Sequence, residues 1–208
     1  MKRALTLASL VALAGCRETA PEAIGDLFVD RFDGPALGAH WRTTGVSYRI
    51  ADGKLAMSYG YNHPLWLARR LPRDAEIRFT AQALGADGDV KVELWGDGES
   101  FAAGKGAYTS SGYVLVHGGW KNTLTVLARM DEHGQNRRAR RDLRVEPGRV
   151  YRWRIVRKGS RLSWWIDETL VHELDDSEPL AGPGHAFFAL SNWESDVRFD
   201  DLAIRALK

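Results

Sequence analysis

The chain has 208 residues and a formal charge of +2; 44% of it is hydrophobic and 27% charged. That length suits one domain, the composition supports a buried core, and the near balance of charge gives no general reason to expect nucleic acid as a partner. One cysteine excludes an internal disulfide framework, and eight tryptophans either fill space between packed layers or line a binding face.

In chain order, Lys2 and Arg3 precede an uncharged small-apolar run, Ala4 to Gly15. This reads as a signal-peptide core, too short to span a membrane as a helix. It ends in Leu13-Ala14-Gly15-Cys16, which resembles the lipobox of bacterial lipoproteins. The resemblance implies that Cys16 is acylated and becomes the first mature residue, anchoring the protein to a membrane. Arg17 in place of Asp after the cysteine implies the outer membrane of a Gram-negative envelope. The other reading is an ordinary secreted protein with a cysteine near its cleavage site. Loss of residues 1–15 removes Lys2 and Arg3 and no acid, so 27 Lys+Arg would face 27 Asp+Glu. Residues 16–26 are polar, contain Pro21, show no periodicity, and read as a lipidated tether.

From residue 27 to 208 the chain reads as one all-β domain of short, alternating segments broken by Gly, Asp, Asn and Pro. Val46 to Ile50, Asp52-Gly53, and Lys54 to Met57 form a hairpin pattern, since Asp-Gly supplies the positive φ angles of a tight turn. Ala75 to Leu84 sorts Ile77, Phe79 and Ala81 from Glu76, Arg78, Thr80 and Gln82. Asp89 to Trp95 sorts Val90, Val92 and Leu94 from Lys91, Glu93 and Trp95. Tyr113 to His117, Thr123 to Arg129, Val150 to Arg157, and Arg161 to Asp167 continue the pattern. No stretch sustains a helical period, so one or two short helical turns are expected at most.

Several segments together resemble concanavalin A-like lectin/glucanase domains. Asp30-Arg-Phe-Asp-Gly-Pro-Ala-Leu-Gly38 followed by Trp41 looks like their opening strand and turn. Leu162-Ser-Trp-Trp-Ile-Asp167 with Thr169-Leu-Val171 resembles a laminin G-like hairpin, and His185 to Leu190 and Val197 to Ile204 look like the closing strands. The resemblance covers residues 27–207 and implies a two-sheet antiparallel jelly-roll sandwich with a concave face. Such folds host lectins, glycan hydrolases, lyases and adhesion modules, so function must come from the site.

Glu173-Leu-Asp-Asp-Ser-Glu178 matches the Glu-x-Asp-x-x-Glu string of laminarinase-type glucanases. By that resemblance Glu173 would be nucleophile, Glu178 acid/base and Asp175 their modulator, with carboxyls about 5–5.5 Å apart for retention. However, Asp176 and Ser177 occupy positions that are apolar in the family, and Pro179 follows at once. A solvated strand end is the preferred reading. A second set is His63, Trp66, Glu93, Trp95, His117, Trp120, Asn192, Trp193 and Glu194. Their alternation points Glu93, Trp95 and His117 away from the core, where tryptophan faces and polar groups would suit a carbohydrate. The competing reading makes Trp66, Trp120 and Trp153 core.

The Gly-rich connection Gly96 to Ser111 is either a flap over a groove or a plain loop. The resemblance also implies a structural calcium shared by the first and last strands, with Asp30, Asp33 and Asp200 or Asp201 as ligands; an ordinary turn and edge-strand Asp is the alternative. No cofactor is otherwise required. Arg137 to Arg144 holds five arginines, readable as an oxyanion contact or as a solvated loop and strand face. The expectation is an envelope lipoprotein whose lectin-like domain binds carbohydrate without catalysis. A glycoside hydrolase or lyase, and a non-catalytic interaction module, are the alternatives.

Overall fold

A computed structural model describes residues 21–45, 47–104 and 108–208. The expected signal peptide, Cys16, the first part of the expected tether and Val46 lie outside the described residues. The strands are β1 (Leu27–Asp30), β2 (Trp41–Thr43), β3 (Tyr48–Ala51), β4 (Lys54–Ser58), β5 (Leu65–Leu67), β6 (Ala75–Ala83), β7 (Val90–Gly96) and β8 (Tyr113–Gly118). They continue with β9 (Leu124–Arg129), β10 (Arg138–Arg140), β11 (Tyr151–Lys158), β12 (Arg161–Ile166), β13 (Thr169–Asp175), β14 (Phe187–Ser191) and β15 (Asp196–Ala206). One sheet of eight runs β13-β12-β11-β6-β15-β4-β3, with β1 also on β15; the other, of seven, runs β10-β9-β8-β7-β14-β5-β2. Every strand pair is antiparallel. The expected all-β sandwich is therefore present, and among the described residues no helix is long and apolar enough to cross a membrane.

Turn chemistry explains the hairpins. Asp52 and Gly53 join β3 to β4 with φ of 54° and 66°, and Asp167 and Glu168 join β12 to β13 with 46° and 71°. Both pairs have the doubly positive φ that matches the right-handed twist of the strands they connect. Ile77, Phe79, Trp153, Ile155 and Phe199 from the eight-stranded sheet meet Val92, Leu94, Leu115, Phe188 and Leu190 from the other to form the core. Phe79 stacks on Trp153 at 5.1 Å, and Trp153 lies 4.7 Å from Trp164. The packing includes residues ahead of Leu27: Ile24 is buried, and its N–H donates to the Arg70 carbonyl at 2.8 Å.

The seven-stranded sheet is largely buried on both faces. Val114, Val116, Val126 and Ala128 form a second buried cluster on its outer side, joined by Trp120, while Trp66, Phe187 and Ala189 form a third. A sheet buried on both faces gives near-continuous apolar strands. Alternation alone therefore cannot tell which side is inward, and two orientations differ from expectation for that reason. His117 points inward, edge-on to Tyr151 at 4.9 Å, while Val116 faces outward. Trp95 also turns inward, because β14 pairs Phe188 with Leu94 and Phe187 with Gly96, leaving Trp95 as the extra residue of a bulge. Its φ of 51° swings the ring into the core, where the indole N–H donates to the Pro72 carbonyl at 3.1 Å.

Candidate functional site

The outer face of the seven-stranded sheet carries a pocket of about 670 Å³. Its floor comes from Asn62, Asp89, Lys91 and Val116, its walls from Trp120 and Trp193, and its rim from Glu132, His133 and Glu194. Trp120 stands on the single helical turn α1 (Gly119–Asn122), and Trp120, Lys121 and Asn122 all have left-handed φ, between 51° and 59°. Three consecutive non-glycine residues in that region cost roughly 1–2 kcal/mol each. The surroundings hold them there. Asn122 donates to the Val145 carbonyl and accepts from the Val145 N–H, both at 2.7 Å, and Thr123 Oγ1 donates to the Trp120 carbonyl. Gly88 lets this turn pack close, since a Cβ there would meet the Gly118 carbonyl oxygen at 2.5 Å.

Trp193 is held from the opposite side. Tyr61 presses edge-on against it at 5.2 Å, and the Tyr59, Tyr61 and Asn62 backbones are again left-handed. Asn192 fixes that loop: its Oδ1 accepts from the Gly60 N–H at 3.0 Å and its Nδ2 donates to the Ser195 carbonyl. Asn192 is thus a buried positioning residue for the rim.

The floor is charged and largely buried. Lys91, 3% exposed, donates to Asn62 Oδ1 at 2.6 Å and to Glu132 at 2.8–2.9 Å. A buried lysine keeps its charge only with such partners, and here the Glu132 and Asp89 carboxylates hold it above its ordinary pKa against burial. Asp89 has less support, a backbone donor from Trp193. Its enclosed Oδ1 accepts no hydrogen bond, and burial, outweighing nearby Lys91, pushes its carboxyl up to about 6. The pocket therefore holds an acceptor without a donor, beside two indole faces.

Beside this pocket the Gly-rich connection lies down on the same sheet face. Tyr108 and Ser110 donate to Glu93 Oε2, Trp66 Nε1 donates to the Ser100 carbonyl at 3.0 Å, and the Ala102 N–H donates to the Asn62 carbonyl. Residues 105–107 lie outside the described residues. Glu93 faces outward as expected, but the loop seals it completely, and burial pushes it up to about 7. Trp66 is equally sealed. His63 sits on the rim loop with Nδ1 against the Thr44 carbonyl and its ring stacked on exposed Phe101 at 5.2 Å.

Of the residues singled out from the sequence, Trp120, Trp193 and Glu194 come together in the pocket; Asn192 positions its rim; His63 packs on Phe101 outside it; Glu93 and Trp66 lie under the loop; Trp95 and His117 lie in the core. Asn62, Asp89, Glu132 and His133 were not anticipated. Lys91 was legible as an outward residue by its alternation with Val90 and Val92; nothing local marks Glu132, which arrives from a loop.

The acidic string is elsewhere. Glu173 and Asp175 are on β13, the edge of the opposite sheet, bonded to Ser163 and Ser160. Asp176 accepts from Tyr113 at 2.6 Å and from Arg129, and Glu178 is exposed. None of them lines the pocket. The calcium arrangement also fails to assemble. Asp30 accepts from His40 and Trp41, both at 2.7 Å, and the Lys54 ammonium sits on Asp200 within the field of Asp33 and Asp201. Among the described residues no three acidic, His or Cys side chains gather as a metal site. In the arginine run, Arg137 lies over the Trp120 ring at 4.8 Å and donates to the Glu132 carbonyl; Arg140 pairs with Asp142 and donates to the Val171 carbonyl. Arg138, Arg141 and Arg144 are exposed.

No protein-family model and no curated protein matches this sequence. Solved structures do match the fold. The carbohydrate-binding module CBM66 from Bacillus subtilis aligns with TM-score 0.62 at 11% identity, over 80% of this chain and 96% of that one. The laminarinase from Flavobacterium sp. UMI-01 aligns at 0.61 and 10%, covering 87% and 100%. The Bacillus licheniformis beta-glucanase aligns at 0.59 and 10%, covering 88% and 99%. The fold is thus the concanavalin A-like jelly roll. At these identities the likeness defines architecture alone, and the chemistry rests on the pocket.

Proposed function

We propose that the pocket between Trp120 and Trp193 binds a carbohydrate without transforming it. The observation that carries this reading is Asp89 Oδ1, an enclosed oxygen with no donor in a pocket walled by two indoles. A sugar supplies both complements: C–H faces that stack on tryptophan and hydroxyls that donate to a stranded acceptor. Two of the structural neighbours, a carbohydrate-binding module and a laminarinase, are proteins of carbohydrate chemistry, which supports the choice. Glycan-array binding tests it. Trp120→Ala and Trp193→Ala should each weaken binding by about tenfold, with thermal midpoints retained. An array with no binder would leave the interaction-module reading.

One feature favours a second reading, glycan hydrolysis. Asp89, raised to about 6, and Glu132, ion-paired to Lys91, share one cleft, and carboxyls held in contrasting environments divide acid from base roles. Reducing-end release from a polysaccharide panel, lost in Asp89→Asn, would establish it. The envelope setting rests on Leu13-Ala14-Gly15-Cys16. Palmitate-analogue labelling that disappears in Cys16→Ala is the expected result for an outer-membrane lipoprotein.

A further inference from the structure

The rim that holds Trp193 continues outward as a row of rings. Tyr61 lies 5.2 Å from Trp193 and Tyr59 lies 6.3 Å from Tyr61, centroid to centroid, with the planes turned by 83° and then 37°. Trp193 lines the pocket, whereas Tyr61 and Tyr59 stand beyond its edge, and Tyr59 is 51% exposed. Among the described residues, the buried apolar clusters that hold the sandwich together include none of these three rings. Core packing therefore does not account for the row.

The backbone is strained to present it. Tyr59, Tyr61 and Asn62 have φ of 49°, 47° and 59°, a region that bulky side chains rarely adopt. Gly60, between the two tyrosines, is close-packed, since a Cβ there would meet Asn192 Oδ1 at 2.3 Å. A short ladder pins the segment: the Tyr59 N–H donates to the Ser195 carbonyl at 3.0 Å, the Tyr61 N–H to the Trp193 carbonyl at 3.4 Å, and the Asn62 N–H to the Asn192 carbonyl at 3.3 Å. Strain of this kind persists where the surroundings over-determine it, and it gathers at ligand clamps. Glycine at position 59 would relax the backbone without giving up a core contact. What it would lose is the exposed ring.

We infer that the pocket is the inner end of a longer site, and that a linear glycan runs out of it across Tyr61 and Tyr59. This rests on the carbohydrate reading of the pocket and names the class of ligand within it: an oligosaccharide chain of about three or more units, not a single terminal sugar. The spacing of the rings is close to the length of one pyranose unit, so successive units meet successive rings. Because the planes turn along the row, the units rotate as they go. Glu194, exposed beside Trp193 at the pocket edge, is an acceptor for hydroxyls where the chain leaves the pocket. Tyrosine presents a broad, rigid face with few rotatable bonds to freeze, which suits a platform held ready for a chain.

The test is calorimetric titration of the protein with linear glucan, mannan, xylan, galactan and chitin oligosaccharides of one to about six units. Each stacked ring adds roughly fivefold, so among the chains that bind, affinity should rise at least about tenfold between one unit and four. Tyr59→Gly should remove roughly fivefold of that gain with its thermal midpoint kept or raised, because glycine is at ease at this φ. Tyr59→Phe, which keeps the ring, should bind like the wild type, and Trp193→Ala should weaken short and long chains alike. Affinity that is equal at every length, or a Tyr59→Gly protein that binds the longest chain as the wild type does, overturns the inference and leaves the pocket a site for one sugar. Absence of binding to every member of the series also overturns it, and the glycan array then decides separately whether the pocket takes any carbohydrate.

Discussion

Glu93 shows how one residue can be read correctly for direction and incorrectly for role. Alternation placed it outward, but the loop that returns over it turns it into a buried carboxyl whose Oε2 accepts from Ser110 and Tyr108 while Oε1 accepts nothing. Burial, its largest influence, raises it from 4.5 to about 7. The folded state therefore holds a proton that the unfolded chain releases, and this residue's contribution to stability declines as pH rises between those values. Urea denaturation at about pH 5 and about pH 8 should show that Glu93→Gln loses less stability on going alkaline than the wild type. An identical loss would mean the carboxyl is not held protonated. His117 acts with the opposite sign: buried and lowered to about 4, it favours folding above its ordinary value of 6.5 and loses that contribution as pH falls toward 4.

At the scale of elements, the long strands were legible because one face of β6 and β11 is polar, and Ala75 to Ala83 or Tyr151 to Lys158 alternate cleanly. β8 was legible as a strand but not in the direction it faces, since all six of its residues are buried and neither face is marked by polarity. The bulge at Trp95 inverts a side chain with no local signal, because it depends on how β14 pairs across. The turn carrying Trp120 was equally silent: Trp, Lys and Asn in succession do not advertise left-handed backbone. That turn gives a direct prediction. Lys121→Gly relieves an unfavourable φ of 56° and should raise stability by roughly 0.5–1 kcal/mol. Gly88→Ala forces a Cβ against the Gly118 carbonyl from a φ of +68°; it should cost about 1–3 kcal/mol and weaken glycan binding together with stability. Thermal unfolding of both variants checks this. A destabilised Lys121→Gly would show that the lysine side chain, not the backbone, sets the turn.

The whole molecule is a sandwich whose two outer faces differ in kind, one hollowed and lined with indoles, the other studded with guanidinia. What joins them is the aromatic layer between the sheets. Trp153, stacked with Phe79 and Trp164 and touched by His117 from the opposite sheet, is its centre. Trp153→Ala should lose about 3–5 kcal/mol, read as a fall in the urea midpoint; a loss under about 1 kcal/mol would mean the sheets do not depend on this layer.

The first and last strands are hydrogen-bonded neighbours, with Leu27 opposite Arg205 near the two ends of the chain. Tension applied between the termini therefore acts across that ladder, whose bonds lie perpendicular to the strands, and parts them one pair at a time, like a zip opened from its tab. A cargo fused after Lys208 would leave the domain beside the start of β1, and a pull on it would peel β1 from β15 before loading the rest of the sandwich.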